Sequence, residues 1–108
     1  MHPDPEVVVE ERPTVYRPSD DSYLLLGAVS VAPGERFLEV GAGAGLVALH
    51  AARITDAVAT DVNPDAVDLL RKYAKVLKKS RQIIIAGKAS EGRNIRKSWR
   101  ICRKNWTR

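Results

Sequence analysis

The chain has a single cysteine, Cys102, in 108 residues. That excludes an intrachain disulfide framework and a zinc centre built from cysteines. Aromatic residues make up only 6%, and no apolar run approaches the roughly 20 residues that a membrane span needs. The opening Met1-His2-Pro3-Asp4-Pro5-Glu6 carries acids and prolines where a secretory signal would place bases and then an apolar stretch. These absences lead to the expectation of a soluble, cytoplasmic protein with no metal site. Acids are nearly missing from the last third. Residues 71–108 hold fourteen bases and one acid, Glu91, whereas residues 1–70 hold four bases and twelve acids. The net charge of +5 therefore averages two unlike stretches. A split of this kind points either to a nucleic-acid arm or to two parts of different origin.

What is present begins with ordinary globular composition, 44% apolar, in a chain long enough for one small domain. Residues 1–15 read as an extended lead-in, with Val7-Val8-Val9 as a short edge strand. Ser19 or Asp20 caps a helix expected from about 20 to 30, with acids in its first turn, leucines on its buried face and Pro33-Gly34 beyond its end. Arg36–Val40 reads as a strand, apolar enough to be covered on both faces. Leu46 to Ile54 follows as an apolar helix, in which His50 is expected to be a plain helix-face residue. Ala57–Asp61 reads as a second strand. Asn63 then caps a third helix, with Pro64 in its first turn and a stripe of Ala66, Val67, Leu69, Leu70, Tyr73, Ala74 and Leu77. Gln82–Ala86, with its branched Ile83-Ile84-Ile85, reads as a third strand. Each local signal to about Leu77 fits one alternating β/α plan.

The chemistry concentrates where the first strand runs into Gly41-Ala42-Gly43-Ala44-Gly45. Gly41 and Gly43 let the backbone turn sharply and let a ligand approach the main chain. The spacing is G-x-G-x-G, and Leu46 stands where a dinucleotide fold has its third glycine, so a pyrophosphate cofactor does not fit. Glu39, just before the turn, opposes phosphate and favours a cationic ligand such as a sulfonium or an amine. Asp61 lies 22 residues after Glu39, the length of one strand–helix–strand unit, where its carboxylate can hold ribose hydroxyls. The rival reading is a tight turn without a ligand. A carboxylate beside the turn counts against that reading, because a structural turn has no use for one.

Phe37-Leu38-Glu39-Val40-Gly41-Ala42-Gly43-Ala44-Gly45 resembles motif I of the class I S-adenosylmethionine-dependent methyltransferases. Asp61-Val62-Asn63-Pro64-Asp65-Ala66 resembles the acidic strand end that follows it in that superfamily. The block Val15-Tyr16-Arg17-Pro18-Ser19-Asp20-Asp21-Ser22-Tyr23-Leu24-Leu25 is similar to the lead-in of release-factor glutamine methyltransferases of the HemK/PrmC type, in particular their archaeal and eukaryotic branch. The three stretches cover about residues 14–77. This resemblance implies an α/β, Rossmann-like fold and S-adenosyl-L-methionine as cofactor, with a translation release factor as methyl acceptor. It implies that Glu39, Gly41 and Gly43 line the methionine part of the cofactor and that Asp61 holds its ribose. Ser22 would contact the cofactor from the lead-in, with Tyr16 as a pocket wall. For Tyr16 and Ser22, capping and packing of the first helix is the alternative.

Family members carry an Asn-Pro-Pro-Tyr loop after the fourth strand, where it orients the accepting amide nitrogen. This sequence contains no such tetrapeptide, and Asn63-Pro64 belongs to the second-strand motif instead. Lys88 and Ser90 stand where an adenine-holding acid is expected after the third strand. The expected organisation is therefore a partial methyltransferase domain over residues 1–86 and a basic, irregular tail over 87–108, with no catalytic residue assignable. Loss of period, acids and motif together is what truncation or a frame shift after about Leu77 produces; a short protein keeping half the cofactor pocket is the alternative account. Arg93, Arg96, Lys97, Arg100, Arg103, Lys104 and Arg108 with Trp99 and Trp106 would suit phosphate contacts and base stacking, against which stands a solvated tail. An incomplete sheet also implies self-association or binding to a partner.

Overall fold

The computed structural model describes residues 1–77 and 79–87. The basic stretch 88–108 therefore lies outside the described residues, and with it the nucleic-acid-arm reading and the positions of Lys88 and Ser90. The elements in chain order are α1 (Asp20–Ala28), β1 (Arg36–Val40), α2 (Leu46–Ala52), β2 (Asp56–Thr60), α3 (Pro64–Val76) and β3 (Ile83–Ala86). The strands form one parallel sheet in the order β1-β2-β3. Leu38 pairs with Val58 and Val58 with Ile84, so the three strands are in step. Each crossover is a helix, α2 between β1 and β2 and α3 between β2 and β3. Parallel neighbours require such connections, because a tight turn cannot return the chain in the same direction.

Both crossover helices cover the same sheet face. Ala48 of α2 and Leu70 of α3 are fully buried with Ala59 of β2, and Phe37, Ala42 and Ile85 pack against them. All seven residues of α2 are buried, which explains why its sequence, Leu46-Val47-Ala48-Leu49-His50-Ala51-Ala52, is apolar all round. By contrast, α3 is amphipathic and buries Ala66, Val67, Leu69 and Leu70. It starts where the sequence indicates: the Asn63 side chain accepts the Asp65 N–H at 3.0 Å, and Pro64 occupies the first helical position.

Three expectations need correction. The first concerns β1, which alternates between exposed and half-buried residues instead of being covered on both faces. It is an edge strand among the described residues, and only its Phe37–Glu39 side faces a helix; Leu38 and Val40 are 44% and 78% exposed. The second concerns Val7-Val8-Val9, which form no strand. The lead-in runs over the helices rather than along a sheet edge, where no ladder partner exists. Asp4 and Glu6 bind Arg53, Glu10 binds Lys72 and Tyr73, and Val9 packs on buried residues of both α1–α2 and α3. The third concerns α1, whose leucines do not form a buried face: Leu26 is buried, whereas Leu24 and Leu25 are 74% and 50% exposed.

His50 is a structural residue, as expected, though buried and more engaged than a plain helix-face residue. Its Nδ1 lies 2.6 Å from the Leu46 carbonyl, and its Nε2 accepts the Asp4 N–H at 2.9 Å. A carbonyl can only accept, so the proton sits on Nδ1 and the ring is neutral.

Candidate functional site

At the carboxyl ends of β1 and β2 the chain encloses a cavity of about 360 Å³. This is where open parallel sheets place their ligands. Its floor is the glycine turn. Gly41, Gly43 and Gly45 have φ of +72°, +56° and +92°, so every second residue of the turn is left-handed. That explains the G-x-G-x-G spacing, because side chains at these three positions would strain the backbone. Gly45 carries a further constraint. A Cβ there would stand 2.4 Å from Cδ2 of Leu70 and 3.3 Å from Cδ1 of Leu49. The approach of the Leu70 side chain of α3 to the start of α2 therefore depends on this glycine. Gly43 faces the lead-in: its Cβ would meet the Tyr16 carbonyl oxygen at 3.7 Å.

Two carboxylates organise the floor. Asp61, one residue beyond the end of β2, accepts the Gly43 N–H at 2.8 Å through Oδ2 and the Asn63 N–H at 2.8 Å through Oδ1. It thereby holds the glycine turn against the β2–α3 loop. Each carboxylate oxygen keeps a second lone pair, so acceptor capacity remains for ligand hydroxyls. Glu39 lies beneath the turn, and its Oε1 accepts the Ala48 N–H near the start of α2 at 3.2 Å. Burial pushes the Glu39 carboxyl up to about 7, and the neighbouring Asp61 charge adds to the rise while the Ala48 bond opposes it. A cationic group placed in the cavity would reverse that balance.

All six sequence-derived candidates, Tyr16, Ser22, Glu39, Gly41, Gly43 and Asp61, line this one cavity. The Tyr16 side chain is 77% exposed, so it stands at the rim more than in the wall. The Ser22 hydroxyl accepts the Ser19 N–H at 3.1 Å and so also serves the start of α1. Sequence reasoning missed Gly45 as the sterically tightest position, and it read Asn63 only as a helix cap. The Asn63 Nδ2 also donates to the Thr14 carbonyl at 2.7 Å, and the residue lines the cavity. Nothing local could have revealed either role, because both depend on chain segments far away in sequence. Among the described residues no group of acids, histidines and cysteines could hold a metal, and no helix is long and apolar enough to cross a membrane.

A parallel sheet with helical crossovers, a glycine turn at its carboxyl end and an acid closing the next strand define a Rossmann-like α/β fold. The solved structure of precorrin 8W decarboxylase from Methanobacterium thermoautotrophicum shares it, with a TM-score of 0.61 and 23% identity over 79% of this chain and 46% of that one. At that identity the likeness concerns the fold alone. No family model matches the chain. In sequence, the chain is 38% identical over 66 residues to a protein of Methanocaldococcus jannaschii named "putative protein N5-glutamine methyltransferase". This bears out the likeness to HemK/PrmC-type methyltransferases read from the three motifs. The match takes in 59% of this chain and 34% of the relative, so the chain spans about a third of the relative's length.

Proposed function

We propose that this chain is the cofactor-binding part of an S-adenosylmethionine-dependent methyltransferase acting on a protein glutamine amide, with a translation release factor as the acceptor protein. The observation that carries the reading is the glycine turn closed by Asp61 above a half-buried Glu39. The residues fit such a cofactor chemically. Three left-handed glycines leave the main chain open to a flat nucleoside, the Asp61 carboxylate has acceptors free for ribose hydroxyls, and Glu39 offers a charge partner for the cationic methionine end. When bound, S-adenosylmethionine supplies a methyl group activated by its sulfonium. The part of this chain is to bind and orient it. Gly41 and Gly43 set the depth of approach, Asp61 fixes the sugar, and Tyr16 and Ser22 close the lead-in side. The name of the methanogen relative supports glutamine as the acceptor side chain. A cytoplasmic location goes with that substrate.

Residues 1–86 form the cofactor unit in this reading and 87–108 a separate basic segment. The acceptor half is another matter. No Asn-Pro-Pro-Tyr sequence occurs in the chain, so the loop that orients the amide nitrogen in the methyltransferases it resembles has no counterpart in these residues. The reading is therefore binding without turnover by these 108 residues alone.

Calorimetric titration of S-adenosylmethionine into the wild type and Asp61→Ala tests it. The wild type is expected to bind with a measurable heat and the variant to bind at least about tenfold more weakly, as loss of a charged hydrogen-bonding partner implies. A wild type that gives no heat and no protection by any other probe ends the cofactor reading.

A further inference from the structure

The cavity is assembled from parts of the chain that are distant in sequence. One wall is the lead-in, with Val15, Tyr16 and Pro18, and the opposite side is the glycine turn with Asp61. The lead-in has little regular structure of its own, so its position over the turn must be enforced from outside. Val15 supplies the apolar part: it is 5% exposed and is buried with Ala44, Ala66 and Leu69. The polar ties further back, Glu10 to Lys72 and Tyr73, join residues that do not line the cavity, and the Lys72 and Glu10 side chains are 56% and 39% exposed. The Glu10–Lys72 ion pair, exposed as it is, holds weakly and is screened by salt, and the partly buried Glu10–Tyr73 bond fixes the chain only as far as Glu10.

Asn63 makes the tie nearest the cavity. Three of its groups are used at once. Its N–H donates to Asp61 Oδ1 at 2.8 Å, its Oδ1 accepts the Asp65 N–H at 3.0 Å, and its Nδ2 donates to the Thr14 carbonyl at 2.7 Å. The side chain thus connects the first turn of α3 to the lead-in 49 residues earlier, while the backbone of the same residue holds the acid at the end of β2. An aspartate or serine could cap the helix equally well, but the carboxylate has no donor for Thr14 and the serine hydroxyl is too short to reach it while capping. The amide is therefore more than capping requires.

We infer that Asn63 is a positioning residue of the cavity, pinning the lead-in across the glycine turn so that the ligand site exists before the ligand arrives. Its bond to Thr14 raises the fraction of molecules in which Tyr16 and Pro18 already wall the cavity, and apparent affinity scales with that fraction. The inference rests on the proposed cofactor site for its effect on affinity. It does not rest on that site for its effect on the lead-in.

Asn63→Ser separates the two roles of the side chain. Serine keeps the cap and adds no charge next to Asp61, but it is too short and has no amide to reach the Thr14 carbonyl. The measurements are the thermal midpoint, amide hydrogen exchange at Val15 in the ligand-free chain, and calorimetric affinity for S-adenosylhomocysteine. The serine variant is expected to keep the wild-type midpoint, to exchange faster at Val15, and to bind about three- to tenfold more weakly, the size of one lost hydrogen bond. Asn63→Ala, which also removes the cap, is expected to lower the midpoint as well. Unchanged exchange at Val15 in Asn63→Ser overturns the inference. So does a midpoint that falls as far in the serine variant as in the alanine variant, because the side chain would then be only a cap. Should the wild type bind no nucleoside, the cofactor reading fails by itself, and the Val15 exchange still decides whether Asn63 pins the lead-in.

Discussion

At the scale of single residues, the most consequential group is Glu39, a half-buried carboxyl whose pKa is raised to about 7. The cause is chiefly burial, with the nearby Asp61 charge adding to it. Two opposite pH dependences follow. In the ligand-free chain the folded state holds the Glu39 proton more tightly than the unfolded state, where the carboxyl returns to its ordinary 4.5. Stability from this group is thus complete below about 4.5 and is lost as the pH rises towards about 7. In the proposed cofactor site, binding of S-adenosylmethionine would run the other way, because its cationic end would need the carboxylate. Below about 7 the ligand must displace a proton, so its Kd should rise on acidification by up to about tenfold per pH unit. Calorimetry between pH 5 and 8 checks this, together with Glu39→Gln, in which both dependences should flatten. A wild-type affinity that is level across that range contradicts the role given to Glu39.

At the scale of elements, the packing of Leu70 of α3 against the start of α2 rests on Gly45, which precedes the first residue of α2. Its φ of +92° alone would make alanine there costly, by about 1 kcal/mol. The 2.4 Å approach of a Cβ to the fully buried Leu70 adds an overpacking cost of about 1–3 kcal/mol. Gly45→Ala is therefore expected to lose about 2–4 kcal/mol in urea denaturation. Gly41→Ala, where a Cβ meets nothing within 4 Å, should lose only the backbone part of that. Equal losses in the two variants would show that Leu70 yields freely. Here the limits of the sequence are also visible in physical terms. The elements themselves were legible: β1 falls on the residues its apolar run marks, β2 is displaced by a single residue, and α3 starts at its Asn-Pro signal. These depend on local pattern and on caps. The cavity residues were legible as well, because glycine turn and acid are fixed by one strand–helix–strand unit. The steric role of Gly45, the tie from Asn63 to Thr14 and the path of Val7–Val9 over the helices were not. Each is set by a partner from 25 or more residues away, and nothing in a local pattern identifies such a partner.

At the scale of the whole molecule, β1 is an edge of the described sheet. Among the described residues no strand pairs with its outer side, and Leu38 and Val40 are 44% and 78% exposed there. An apolar edge of this kind is a template for pairing with another chain. The outer side of α1 adds Tyr23 and Leu24, 51% and 74% exposed, to the uncovered apolar surface. A strand only five residues long gives a weak ladder, so pairing between copies should be reversible and should depend on concentration. Sedimentation velocity over a hundredfold range of concentration is expected to show a monomer passing into larger species. Val40→Lys places a charge on the exposed face of the edge strand without touching the helix-covered side, where Phe37 and Glu39 lie. It should hold the chain monomeric at concentrations where the wild type associates, with its thermal midpoint as a dilute monomer unchanged. Association that persists undiminished in Val40→Lys would move the contact away from β1, and Leu24→Lys would then test the outer side of α1 by the same measurement.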